Sequence, residues 1–158
     1  DGGAQDIAAL QQLNYTTGSG GYTNSTTPSI WPSKGVITSP YGTRVDPVTG
    51  AASAFHEGVD IADDYGTPIV ATAAGTVTFA GYTEGGYGNL VEIDHGNGFV
   101  TRYGHNSAVL VTPGMTVKQG QVIALMGSTG KSTGAHVHYE VRINGSAVDP
   151  MVFLPISN

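Results

Sequence analysis

The sequence predicts an all-β domain, an antiparallel β-sandwich or barrel-sandwich, preceded by a short N-terminal helix and a flexible linker. Glycine accounts for 24 of the 158 residues and only 11% of residues are charged, a composition that suits short strands joined by tight turns. Short apolar runs recur at strand-like spacing from residue 31 onward. No long helical period appears after residue 29, so a helical bundle is not expected.

The N-terminal region differs in composition from the rest of the chain. Within residues 6–13, Ile7, Leu10 and Leu13 lie at helical spacing and predict a short helix. Residues 16–29 are rich in Gly, Ser, Thr and Asn and predict a flexible linker. The predicted division is therefore a helix and linker over 1–29 and a β-domain over 30–158. The chain begins without methionine or an apolar signal region, so we expect a fragment of a longer protein.

The β-domain is predicted as a series of short strands. Asn97-Gly98 favours a hairpin turn, because this dipeptide accepts the positive φ that such turns require. The segment after Tyr41 is predicted to lead into a loop. The candidate strands are 36–38, 68–72, 75–81, 90–94, 99–103, 116–117, 122–126, 136–141 and Val148.

Charge and cysteine content exclude several classes of function. The net charge is −6 with only six Lys and Arg residues, which argues against nucleic acid as a partner and against a basic membrane-binding surface. The absence of cysteine excludes disulfides, thiolate zinc sites and cysteine nucleophiles. No apolar run approaches the roughly 18 residues that a membrane-spanning helix needs. Nothing in the sequence indicates an oligomeric state.

The segment 135–141 alternates between two kinds of side chain. Its apolar residues share one parity, and His136, His138 and Glu140 share the other. In a β-strand, alternate side chains point to opposite faces. The pattern therefore predicts one face in the core and one face that presents two imidazoles and a carboxylate. Such a face is either a metal or proton-transfer site or a pair of surface histidines.

Further histidines and carboxylates occur in short Gly-flanked segments. His56 and Asp60 are four residues apart, and with one of the histidines at 136 and 138 they would supply three zinc ligands and leave one position for water. His105 follows a predicted strand, where functional loops gather. A lone His-x3-Asp match often occurs by chance, so the residues alone favour a metal site without ranking its ligands.

Other polar residues receive more ordinary interpretations. Glu140 is either an alternative ligand or a partner that fixes an imidazole. His95 is most simply a hydrogen-bonding turn residue, and Glu57, Asp63 and Asp64 are expected to be solvated.

From residue 31 to 155 the chain resembles the lysostaphin/LytM-type zinc metallopeptidases, the M23 peptidases that cut peptidoglycan cross-bridges. The combination of HxxxD with HxH, in order along the whole domain, carries this resemblance. Ala135 departs from the Pro that many relatives have there, but no metal or catalytic position is replaced. The matching segments are ITSPYGTRVDPVTG, HEGVDIA, GTPIVATAAGTV, YGNLVEIDHGNGFVTRYGH, GMTVKQGQVIALMGSTG, STGAHVHYEV and VDP.

The resemblance implies a fold of the duplicated hybrid motif type and a set of residue roles. It implies Zn²⁺ on His56, Asp60 and His138, and it makes His105 and His136 the catalytic histidines that do not bind metal. The implied partners are peptidoglycan peptides, which would place the protein outside the cytoplasm, in the cell envelope or secreted. The implied activity is endopeptidase hydrolysis of cross-bridges or stem peptides.

Two alternatives and two finer interpretations accompany this reading. A non-catalytic wall-binding or activator module is one alternative. A biotinyl/lipoyl-type carrier domain is the other, opposed by the lack of a Met-Lys-Met hairpin. Segments 84–88 and 127–134 are expected to form the rims of a Gly-lined substrate groove, with Tyr87 on one of them. Tyr41 is a weak candidate for an oxyanion donor, and packing beside the groove is its more ordinary role.

Overall fold

A computed structural model of the chain describes residues 22–45 and 52–158. The helix predicted over 6–13 lies outside the described residues. The thirteen strands are β1 (Val36–Ser39), β2 (Gly42–Val45), β3 (Ala52–His56), β4 (Val59–Ala62), β5 (Pro68–Val70), β6 (Gly75–Thr83), β7 (Gly88–Asp94), β8 (Phe99–Asn106), β9 (Ala108–Val109), β10 (Thr116–Val117), β11 (Val122–Leu125), β12 (His136–Ile143) and β13 (Ser146–Val148), followed by a 3₁₀ turn, Pro150–Val152.

The strands form three antiparallel sheets. The largest has the order β1-β4-β12-β8-β7-β6-β10, with β13 also paired to β12. A three-stranded sheet has the order β5-β11-β9, and β2 and β3 form a separate two-stranded sheet. The predicted all-β antiparallel class is therefore confirmed. None of the helices in the described part of the chain has the length and hydropathy needed to cross a membrane.

Most predicted strands are confirmed, and the differences are strands that the sequence did not predict. Residues 42–45, which were not predicted as a strand, form β2 and pair with β3, while the loop predicted to follow them, with Asp46-Pro47 and Thr49-Gly50, lies outside the described residues. The sequence of β2 lacks the apolar alternation of a half-buried strand, so the pairing is not visible in the residues. The short strand β9 was also not predicted, and it pairs with β11 at only two residue positions.

Part of the predicted linker contacts the β-domain. Thr23 and Gln119 exchange backbone hydrogen bonds of 3.1 and 2.9 Å, and the amide of Ala74 donates to the carbonyl of Ser25. The side chain of Gln119 also donates to the carbonyl of Thr72 at 3.0 Å. The boundary near residue 30 stays a prediction, but Thr23 and Ser25 are hydrogen-bonded to connecting segments of the β-domain.

One hydrophobic core joins the large sheet to the three-stranded sheet. The apolar face predicted for segment 135–141 lies in this core, since Val137, Tyr139 and Val141 are fully buried. Ile69 from β5 and Ile123 from β11 enter the same cluster from the other side. Burial of each such side chain contributes about 1.5–3 kcal/mol to folding, so the inner face of β12 is held firmly in place.

A chain of hydrogen bonds runs through this core. His95 Nε2 lies 2.8 Å from the hydroxyl of Thr101, which lies 2.7 Å from that of Tyr103. The Tyr103 hydroxyl accepts from the amide of Thr72, whose own hydroxyl lies 2.8 Å from that of Tyr139. Buried hydroxyls are costly unless they are paired, and each of these has a partner. The chain therefore ties β8 to β12 from behind, and these strands carry three of the five histidines.

We expect His95 to make folding stability depend on pH. Burial lowers the pKa of His95, against the hydrogen bond to the Ala74 carbonyl, which raises it. A folded-state pKa below the unfolded value means that the unfolded chain binds more protons, so stability is lost as pH falls below about 6.5 toward the folded-state pKa. Denaturant unfolding of the wild type and of His95→Gln, between about pH 8 and pH 5, should show a stability difference that shrinks with acidification by at most about 1.4 kcal/mol per pH unit. A constant difference would contradict this.

Candidate metal centre and active-site cleft

Three side chains from distant parts of the chain meet in a cluster. His56 ends β3, Asp60 lies in β4, and His138 lies in β12. His138 Nδ1 is 3.0 Å from Asp60 Oδ1, and His56 Nε2 is 3.2 Å from each of these two atoms. Among the described residues this is the one group of three His, Cys, Asp or Glu side chains close enough to hold a single metal ion.

The register of the large sheet places Asp60 beside His138. The two residues are direct cross-strand partners in the pairing of β4 with β12. His56 does not share a strand with Asp60, because the chain leaves the two-stranded sheet after His56 and enters the large sheet at Val59. Gly58 makes this passage possible, since a Cβ there would collide with the carbonyl oxygen of Tyr139.

Both histidines of the cluster are fixed in orientation through their second ring nitrogen. His56 Nδ1 lies 2.8 Å from the carbonyl oxygen of Pro40, so Nδ1 carries the proton and donates. His138 Nε2 lies 2.8 Å from Glu140 Oε2. A hydrogen bond at one nitrogen selects which nitrogen remains for a metal. Nε2 of His56 and Nδ1 of His138 are therefore the atoms turned toward the cluster.

His105 and His136 stand next to the cluster and are held in the same way. His105 Nδ1 lies 2.6 Å from the carbonyl oxygen of Thr129, and His136 Nδ1 lies 2.9 Å from that of Gly134. The two ring centroids are 4.6 Å apart, and His136 Nε2 is 3.7 Å from Asp60 Oδ1. Each ring thus donates through Nδ1 and keeps Nε2 as a possible proton acceptor.

The position of His105 differs from the prediction. It was expected just after a strand end, but it lies within β8, which continues to Asn106. Its φ of +66° is in the left-handed region, uncommon for a residue with a side chain. Its amide donates to the carbonyl of Tyr87 at 2.7 Å, which supports this strained conformation.

The electrostatics of the site follow from burial and close pairing. Burial raises the pKa of Asp60, but hydrogen bonds from His138 and His56 outweigh it, so the net pKa is lowered. Burial lowers the pKa of His138, but its bonds with Asp60 and Glu140 raise the net value to about 9. Metal binding at Nδ1 requires the proton there to leave. Burial, the largest cause, lowers the pKa of His105, which keeps that imidazole neutral and able to accept a proton.

The three residues offer the donors that zinc prefers. Two imidazole nitrogens and one carboxylate oxygen form a common ligand set for catalytic zinc, which keeps its fourth position open. The side chains of His56, Asp60 and His138 are only 10%, 15% and 12% exposed, so the site is largely shielded from water yet reachable from one side. The chemistry and spacing of the donors therefore fit a zinc ion.

The cluster lies in an open cleft of about 720 Å³. Both predicted rim segments contribute to it, 84–88 through Gly85, Gly86 and Tyr87, and 127–134 through residues 131–133. The two segments contact each other, since the amide of Lys131 donates to the carbonyl of Gly86 at 2.9 Å. Phe55 also lines the cleft, and this role was not predicted because an exposed aromatic residue has no distinctive spacing in the sequence.

Tyr41 does not have the position of an oxyanion donor. Its hydroxyl donates to the carbonyl of Ala147 at 3.2 Å, and its ring packs edge-on against Phe55 with centroids 5.0 Å apart. It is absent from the described residues that line the cleft. The more ordinary interpretation, packing beside the groove, agrees with these contacts.

Comparison with known proteins agrees with this geometry. A family model described as "Peptidase family M23" matches residues 54–150, which include all five residues of the site. The chain belongs to peptidase family M23.

Curated relatives of this M23 domain include proteins named for wall-related activities. The chain is 49% identical over 120 residues to "DD-carboxypeptidase/endopeptidase Mpg" of Neisseria meningitidis, covering 75% of this chain and 27% of the relative. It is 40% identical over 125 residues to "Murein hydrolase activator NlpD" of Escherichia coli, covering 79% of this chain and 31% of the relative. The M23 domain thus spans roughly a third or less of these two proteins.

Solved structures of the family superpose on the M23 domain. A zinc-containing peptidase from Vibrio cholerae matches with a TM-score of 0.72 and 36% identity, over 82% of this chain and 40% of that chain. The catalytic domain of lysostaphin from Staphylococcus simulans matches with a TM-score of 0.67 and 34% identity, over 75% and 90% of the two chains. The carrier-domain alternative is therefore set aside.

Proposed function

We propose that this M23 domain is a zinc-dependent endopeptidase that hydrolyses peptide bonds of bacterial peptidoglycan, in cross-bridges or stem peptides. The observation that carries the proposal is the pairing of two sets of residues. His56, Asp60 and His138 form a cluster that could hold a metal ion, and His105 and His136 lie beside it with Nδ1 bound to a backbone carbonyl and Nε2 as the remaining ring nitrogen. A binding module needs no second pair of oriented imidazoles, whereas hydrolysis needs groups that move protons.

The proposed roles follow from these positions. Zinc bound by the cluster would polarise a carbonyl and lower the pKa of a bound water to about 7. Hydrolysis then forms a bond from the water oxygen to the carbonyl carbon and breaks the C–N bond. Nε2 of His105 or His136 accepts the water proton and returns it to the leaving amine. The other imidazole already donates through Nδ1, so it needs a proton on Nε2 as well before it can donate a hydrogen bond to the carbonyl oxygen as negative charge develops there.

Two further proposals extend this one. The substrate occupies the cleft lined by Phe55 and by the rim segments 84–88 and 127–134, where Gly85 and Gly86 allow an extended peptide to approach the backbone. The domain acts outside the cytoplasm, in the cell envelope or secreted. The names of its relatives support this, since they include a murein hydrolase activator and "Uncharacterized lipoprotein YgeR" of Escherichia coli.

The similarity to NlpD supports a second candidate function, an activator of other wall hydrolases. Purified peptidoglycan of several chemotypes, incubated with the protein, separates the two functions when the released muropeptides are measured by mass spectrometry. We expect new peptide ends with zinc, none with a chelator, and recovery when zinc is restored. A protein that binds zinc but releases no muropeptide from any chemotype would favour the activator.

A further inference from the structure

Glu140 is a buried carboxylate next to the proposed metal site, with a relative exposure of 1%. Its oxygen Oε2 receives hydrogen bonds from His138 Nε2 at 2.8 Å and from the Tyr87 hydroxyl at 2.6 Å. Its oxygen Oε1 receives one from Arg142 Nε at 2.8 Å, and Arg102 Nη1 lies 3.8 Å away. Both oxygens therefore accept hydrogen bonds from donors in the described structure.

The position of Glu140 excludes it as a second ligand for the same ion. It contacts Nε2 of His138, while Asp60 and His56 contact Nδ1. These nitrogens are on different edges of the imidazole ring, so one ion cannot lie beside Nδ1 and also reach Glu140 across the ring. Of the two interpretations of Glu140 from sequence, the partner that fixes an imidazole is the one that the geometry supports.

We propose that Glu140 is a positioning residue that holds the proton of His138 on Nε2 and so presents Nδ1 to the metal. The proposal rests on the metal site of the proposed function but not on peptide hydrolysis. An imidazole without this partner exchanges its proton between two nitrogens and rotates, and only one arrangement can bind metal. Partners of this kind typically contribute 10–100-fold to metal affinity.

Tyr87 and two arginines keep Glu140 in place and ionised. A buried carboxylate is stable as an anion only when it is paired and hydrogen-bonded. Arg102 Nη1 donates to the hydroxyl of Tyr87 at 3.1 Å, so Arg102 is linked to Glu140 through Tyr87. The ring of Tyr87 packs near His138, with centroids 5.7 Å apart. Gly104 leaves the space for this ring, because a Cβ there would lie 3.1 Å from it.

The test compares Glu140→Gln with Glu92→Gln. Glu92 is a matched control, because it also accepts from Arg102, at 2.7 Å, but has no contact with a histidine in the described structure. Glutamine at 140 keeps one acceptor oxygen where two are needed and turns its amide group toward a donor. Competition with a chromophoric chelator should show zinc affinity about 10–100-fold weaker in Glu140→Gln, and close to the wild-type value in Glu92→Gln.

A second readout separates positioning from general destabilisation. In NMR spectra of the zinc-loaded protein, the Nε2 proton of His138 should give a slowly exchanging downfield signal. We expect that signal to persist in Glu92→Gln and to be lost in Glu140→Gln, with circular dichroism showing a folded domain in both. If Glu140→Gln does not fold, Tyr87→Phe removes a single hydrogen bond to Glu140 and should weaken zinc affinity to a smaller extent.

The possible failures are distinguishable. A folded Glu140→Gln protein with wild-type zinc affinity would overturn the positioning role, whatever its activity. Equal losses in Glu140→Gln and Glu92→Gln would overturn it as well, because they would point to the arginine network in general. A wild-type protein that binds zinc but hydrolyses no peptide would overturn the proposed enzymatic function. The zinc affinities of Glu140→Gln and Glu92→Gln would still test the positioning role of Glu140.

Discussion

His138→Ala is expected to abolish zinc binding and peptide hydrolysis together. The substitution removes Nδ1, the atom that lies 3.0 Å from Asp60 and 3.2 Å from His56. It also leaves Glu140 buried without its imidazole partner, which is unfavourable for a carboxylate that is 1% exposed. Two remaining ligands cannot replace a three-ligand zinc site of this kind. Metal content by mass spectrometry and muropeptide release should therefore fall to background together.

Two further variants make this expectation specific. Asp60→Ala removes a different member of the same cluster and should have the same effect on metal content. Asp64→Ala removes an exposed carboxylate four residues later and should retain zinc and activity. A folded His138→Ala protein that still contains one equivalent of zinc would show that the ion is bound elsewhere.

His136→Ala should separate metal binding from catalysis. The ring of His136 is fixed by Gly134 and lies beside Asp60, with Nε2 3.7 Å from the carboxylate, but it is not part of the three-residue cluster. Zinc content should therefore stay at the wild-type level. Loss of a proton-transfer group costs about 10²–10⁴ in rate, so the rate of hydrolysis should fall by that amount. Rates at saturating zinc on purified wall, with metal content measured on the same sample, provide the measurement.

The comparison variant for this prediction is His105→Ala. Its imidazole is oriented in the same way, with Nδ1 bound to a backbone carbonyl, that of Thr129, and its ring centroid lies 4.6 Å from that of His136. Both variants should keep zinc and lose rate. If His136→Ala lost the metal while His138→Ala kept it, the roles assigned to the two histidines would have to be exchanged.

Local patterns predict much of this fold. Alternation in segment 135–141 correctly separates the buried face, with Val137, Tyr139 and Val141, from the face that carries the histidines. The Asn97-Gly98 dipeptide lies between β7 and β8, which pair as an antiparallel hairpin. Both signals are local, since they depend on residues within one strand or one turn.

Pairings between distant segments are not visible in such patterns. The cluster depends on the pairing of His138 with Asp60, which are 78 positions apart in sequence. It also depends on His56 arriving from a different sheet, which the spacing of His56 and Asp60 does not reveal. The alternation of residues in a strand predicts which side chains share a face of the sheet, but it does not predict which strand lies beside it. The residues alone grouped His56 and Asp60 with one of the histidines at 136 and 138. The resemblance to M23 peptidases is what selected His138, and the roles of the three residues as zinc ligands stay a prediction.

Backbone strain and main-chain contacts are a second reason why the structure differs from what the sequence predicts. The left-handed φ of His105 has no signature in the residues around it, so its place inside β8 was not predicted. The same holds for the carbonyl groups that orient the imidazoles. Every residue has a carbonyl, and a sequence does not show which one will accept a hydrogen bond.

These carbonyl contacts have a consequence for redesign. Pro40, Thr129 and Gly134 each orient a histidine through the main chain rather than through a side chain. Loop libraries can therefore vary exposed positions such as Lys131 and Thr133, which line the cleft, while the imidazoles keep their alignment as long as the loop path is preserved. Variants with a different preference for the peptide bond that is proposed to be cleaved could then be selected without changing the histidines of the site.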